Sequence, residues 1–186
     1  MEWADEEAAN RRVGKEIGPE GVDGAAKRYG RKVSWRTICQ QAGFVDHCAL
    51  DQALRTSIGG LKDDIANAAG SERLASYCSQ HRIFPPNEGR FEPLMQASLT
   101  DLFRRAGNTS LIVGDEFGDE ERLVDISLLE TNDLWDDMAE LPRVNRLIAP
   151  DRSILAWVHW DSFYTLILGK EGALHDLKIA TRFEGF

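Results

Sequence analysis

The chain has 186 residues, 42% of them hydrophobic and 28% charged, with a formal net charge of −9 and a pI near 5.0. That length fits one ordinary domain with a core of its own. The acid excess disfavours direct recognition of nucleic acid, whose phosphates want Lys and Arg, and no apolar run approaches the roughly 20 residues of a membrane-spanning helix.

The opening MEWADEEAANRR has acids where a secretory signal has a basic and then an apolar region, so a cytoplasmic location is expected. Cys39, Cys48 and Cys78 are odd in number and lack CxxC spacing. They read as buried thiols rather than metal ligands or nucleophiles. Charge is segregated: Asp115 to Glu140 holds eleven acids against Arg122 alone, while the rest of the chain is balanced to within one charge.

In chain order, residues 1–32 form a polar, Gly-rich N-terminal extension, with a short helix expected from Trp3 to Val13 and a loop over 18–24. Ser34 reads as the N-cap of a helix stopped by Gly43, and Asp46 as the cap of a second. The spacing of Leu50, Leu54, Ile58, Leu61 and Ile65 carries that second helix to about Ala69, with Gly59-Gly60 marking either a break or a close backbone approach. Gly70-Ser71 then starts a helix to Gln80, a Pro85-Pro86 loop follows, and Pro93 opens a helix ending at Gly107.

Beyond Gly107 the apolar period changes from about four to two or to continuous apolar runs. Ser110–Gly114 reads as a strand, 115–121 as an acidic turn and 122–126 as a second strand. Ser127 and Asp133 read as caps of short helical turns, and 144–149 as an edge strand. The longest apolar run, 153–169, reads as a hairpin turning at Trp160-Asp161-Ser162, because β-branched and aromatic residues dominate it. A short helix over 171–177 and a last strand over 178–183 follow, and the chain stops abruptly at Phe186.

Helices first and strands later give an α+β fold: N-terminal helices packed on a mostly antiparallel sheet centred on the hairpin at 153–169. A single domain is expected over 33–186, with a helical part at 33–107 and a sheet part at 108–186.

Three stretches, VSWRTICQQAGF (33–44), ALRTSIGGLKDDI (53–65) and DRSILAWVHWDSFYTLILG (151–169), together resemble a bacterial domain-of-unknown-function family, family 2711. The likeness spans about 33–183 and implies a bacterial, soluble α+β protein. It supplies no catalytic residues. A looser likeness is to bacterial immunity proteins, which neutralise toxins.

No nucleophile elbow, phosphate loop, dinucleotide fingerprint, HExxH or paired-cysteine zinc spacing occurs. His159, Asp161 and Ser162 crowd the hairpin turn, but triads are assembled from distant segments, so these read as turn residues. His175-Asp176 reads as a solvated helix face, and His47 and His81 as capping or surface groups. The 115–121 acids do not match a calcium loop. No cofactor, metal or catalytic residue is expected.

The charge window instead suggests a docking face for a basic, toxin-like protein, because a local anionic potential steers such a partner. Asp115, Glu116, Asp119, Glu120, Glu121, Asp133, Asp136 and Asp137 would supply the charge, with Phe117 and Trp135 as aromatic anchors. Two alternatives stand beside this. One is an enzyme of unrecognised class with Asp115, Glu116 or Asp161 at a cleft; the other is a structural or regulatory domain whose acidity keeps it dispersed.

Overall fold

The computed structural model describes the backbone of residues 2–3 and, in full, residues 26–86, 88–130 and 144–185. Strand β1 (Glu2–Trp3) pairs antiparallel with β2 (Gly30–Arg31). Trp3 therefore starts no helix. The rest of that expected helix, the 18–24 loop and the turn expected from Asp133 lie outside the described residues.

The helical part is shaped by its caps. In α1 (Trp35–Gln41), the Ser34 hydroxyl accepts from the Thr37 amide at 3.0 Å. In α2 (His47–Ser57), Asp46 does the same for Ala49 at 2.8 Å. Helix α2 does not run on to Ala69: Gly59 takes φ +71°, which ends the turn after Ile58. Helix α3 (Ala68–Gln80) starts at Asn67, whose side chain accepts from the Gly70 amide, so Gly70 and Ser71 lie inside the helix rather than before it. Gln52 and Thr56 of α2 bind the Ile65 carbonyl and the Asn67 amide, which pins the connection and sets that start. Helix α4 (Pro93–Arg105) opens on proline as expected.

Strands β3 (Ser110–Gly114), β4 (Glu121–Asp125), β5 (Arg146–Ile148), β6 (Ile154–Val158) and β7 (Thr165–Gly169) form one antiparallel sheet in the order β4-β3-β5-β6-β7, with helix α5 (Ile126–Glu130) after β4. The fold is α+β. The hairpin is formed by β6 and β7, while the strand expected at an edge, β5, holds the middle. Leu147, Ile148 and Ala149 are all buried, which suits a strand flanked on both sides. The end of the chain forms two 3-10 turns, His175–Leu177 and Ile179–Thr181, in place of the expected helix and strand. Lys178 sits between them at φ +48°, which neither regular element tolerates.

Among the described residues, two apolar clusters result. One packs the sheet face carrying Leu111, Val113, Leu147, Ala156 and Val158 against Leu99, Leu102 and Phe103 of α4, with Leu129 and Leu177. The other joins α1, α2 and α3 through Ile38, Leu50, Leu54, Leu74 and Tyr77. Each such side chain stabilises by roughly 1.5–3 kcal/mol when fully buried. Two residues stitch the clusters from the end of the chain. Arg182 pairs with Asp101 of α4, and the Glu184 carboxylate accepts from the Trp35 and Arg36 amides at the start of α1, at 2.6 and 2.8 Å.

Candidate functional site

The acidic stretch between β3 and β4 is a folded tip. Asp115 Oδ1 accepts from the Gly118 and Asp119 amides at 2.7 and 3.1 Å, closing the loop on itself. Arg146, on β5, donates its Nε–H to the Asp115 carbonyl at 2.6 Å and reaches Glu121 Oε1 at 3.2 Å. Glu121 also meets Arg152 at 3.4 Å. Glu116 turns inward: its side chain is only 8% exposed, accepts from the Trp160 amide at 3.1 Å and lies 3.5 Å from His159 Nε2.

Six of the ten residues expected to meet a partner are therefore described, and they divide into two groups. Asp115, Glu116 and Glu121 are engaged within the chain. Phe117, Asp119 and Glu120 face solvent, Phe117 at 76% exposure, and no ion pair among the described residues reaches Asp119 or Glu120. Asp133, Trp135, Asp136 and Asp137 lie outside the described residues.

The bond from Trp160 to Glu116 joins this tip to the β6–β7 turn. Trp160 is 51% exposed, so it stands with Phe117 as a second open aromatic at the same end of the sheet. Local bonds shape the turn: the Ser162 hydroxyl accepts from the Tyr164 amide, and His159 Nδ1, rather than the Asp161 carboxylate, accepts a backbone amide, that of Asp161. Trp157 lies half-buried on the sheet face opposite the core, because it pairs with Leu166 and Arg146 rather than pointing at α4.

A second feature went unread in the sequence. A cleft of about 530 Å³ lies at the seam of the two apolar clusters. Its walls are β7 with the two residues before it, the start of α1, the 83–86 loop, the start of α4 and the chain end at 182–185. None of Asp115, Glu116 and Asp161 lines it. Cys78 does, and burial pushes its thiol up, which keeps it protonated and a poor nucleophile. Cys39 is buried as well, but Cys48 is exposed on α2, against expectation: it sits on the face turned away from Leu50, Ala53 and Leu54.

Among the described residues, no three His, Cys, Asp or Glu side chains converge as a metal site, and no helix is long and apolar enough to cross a membrane.

These elements define a two-cluster α+β protein with an ordered acidic tip and a separate apolar cleft. The family model described as a protein of unknown function, DUF2711, matches residues 2–186, and the chain belongs to this family. It is similar to an uncharacterized protein of Bacillus subtilis (strain 168), YwbB, with 24% identity over 157 residues, covering 83% of this chain and 67% of that protein. No solved structure matches the chain.

Proposed function

We propose that this protein is a non-catalytic binding protein whose β3–β4 tip docks a basic partner. The observation that carries the reading is the division of labour in the tip. Arg146, Asp115 and Glu116 fix its shape, while Phe117, Asp119 and Glu120 are left for solvent. A loop already held in one conformation loses little entropy on docking. An aromatic flanked by unpaired charge supplies both an anchor and a steering field. Trp160 extends the anchor. A basic bacterial toxin, held inactive by an immunity protein, is the partner class this surface suits.

The test is capture from the native organism at low and moderate salt, followed by titration of the captured protein against the triple variant F117A/D119N/E120Q. Binding to a basic protein that weakens with salt and drops by at least about tenfold in the variant supports the reading. A correctly folded variant that binds as tightly as the parent chain refutes it.

A further inference from the structure

The geometry points to a peptide-binding groove in the seam cleft, in which an extended segment of another protein adds a strand to the open edge of β7. This inference is independent of the acidic tip.

The hydrogen-bond register supplies the first argument. The Lys170 amide donates to the Ser153 carbonyl, while Ile154 and Val158 bond toward β5. Antiparallel pairs alternate between bonded and non-bonded. Leu166 and Leu168 therefore spend their backbone groups on β6, and Thr165, Ile167 and Gly169 point theirs away from the sheet. Leu174 packs against Gly169 and closes that end. Thr165 and Ile167 remain. Both line the cleft, and no hydrogen bond from the described residues reaches their outward N–H and C=O groups.

The two edges of the sheet also differ. The β4 edge reads Glu-Arg-Leu-Val-Asp and is guarded by charge, whereas β7 reads Thr-Leu-Ile-Leu-Gly with neither charge nor proline. Natural sheets normally blunt an edge of the second kind, because it templates strand addition. Here the facing wall, with Trp35 and Pro85-Pro86, confines the opening to a cleft of about 530 Å³. That volume suits one extended chain. The ionic groups lining it are balanced, Lys32 and Arg182 against Glu92 and Glu184. The matching ligand is therefore an uncharged peptide with aliphatic or aromatic side chains at alternate positions, held by backbone bonds to Thr165 and Ile167.

The test selects displayed random peptides of about ten residues against the full chain and measures the winners by calorimetry. The variant Ile167→Pro removes one outward N–H without touching the β6 ladder, as edge proline allows. Selected peptides are expected to share an alternating apolar pattern, to lose about tenfold or more in affinity toward Ile167→Pro, and to lose as much when N-methylated at alternate backbone positions. The N-methylated peptides, used on the unaltered chain, keep the test sound if the proline variant does not fold.

Failure to select any saturable binder overturns the proposal, as do winners indifferent to both changes. A dimer of the unaltered chain that Ile167→Pro dissociates also overturns it, in favour of edge-to-edge self-pairing.

Discussion

Arg146 donates its Nε–H to the carbonyl of Asp115, 31 residues earlier, from a side chain only 18% exposed. The same guanidinium reaches Glu121, so one cation on the middle strand ties both ends of the acidic tip to the sheet. Replacing it with Met keeps the stem and removes every donor. Arg146→Met is expected to cost about 1–2 kcal/mol, because the Asp115 carbonyl and Glu121 lose a partner but regain some water. Urea unfolding near neutral pH measures the loss, and amide exchange at 115–120 should quicken at the same time. Unchanged stability and exchange would mean that the Asp115 loop bonds suffice alone.

Gly118 occupies the turn beneath that guanidinium with φ +85°, and a Cβ there would lie 2.9 Å from an Arg146 terminal nitrogen. Gly118→Ala should destabilise by about 1–2 kcal/mol, mostly through the left-handed backbone. Asn tolerates that conformation, so Gly118→Asn should cost less than Ala. Thermal melts of the pair separate backbone strain from crowding: equal losses would point to the guanidinium contact instead.

What could be read in advance was local. Ser34, Asp46 and Pro93 act within one turn of their own position, so their spacing to the next apolar residues reveals them. The β6–β7 hairpin announced itself by its run of β-branched and aromatic residues. The place of β5 did not, because three residues carry little periodicity and strand order depends on partners far along the chain. The 178–183 strand failed because Ile179 and Phe183 pack on the sheet core, Arg182 pairs with Asp101 of α4, and Lys178 takes a left-handed backbone, all of which override β propensity. In the candidate site, the acid run at 115–121 was visible as charge. Which acids are engaged and which stay open was not, since Arg146, Arg152, His159 and Trp160 decide it from later segments.

Asn145 fastens the loop before α4 to the sheet. It is 3% exposed, and its Nδ2 donates to the Gly89 carbonyl at 2.7 Å, while Gly89 donates to the Ser162 carbonyl at 2.9 Å. Asn145→Leu leaves a buried carbonyl unpaired and should cost about 2–3 kcal/mol. Gly89→Ala should cost at least about 2 kcal/mol, because φ is +67° and the new Cβ would sit 2.6 Å from the Trp160 carbonyl oxygen. Both changes release the same contact, so the double variant should lose less than the sum. Additive losses in denaturant melts would show that the two act separately.

Tyr164 ties the hairpin to α2 through a 2.7 Å bond from its hydroxyl to Asp51 Oδ1. Burial, then the Asp51 hydrogen bond and charge, hold its phenol well above the ordinary tyrosine range. A folded-state pKa above the unfolded one favours folding while both states are protonated. The contribution is therefore complete below pH about 10 and fades as pH rises from there toward the folded value. Tyr164→Phe should lower stability by about 1 kcal/mol near pH 8, the worth of one hydrogen bond. The gap to the parent chain should then narrow above pH about 10, where only the parent gains from ionising in the unfolded state. Phenolate absorbance offers a direct readout: a titration step displaced to high pH in the folded chain should vanish in Tyr164→Phe. A step that persists, or a stability gap that stays constant with pH, would mean that Asp51 does not hold the phenol in solution.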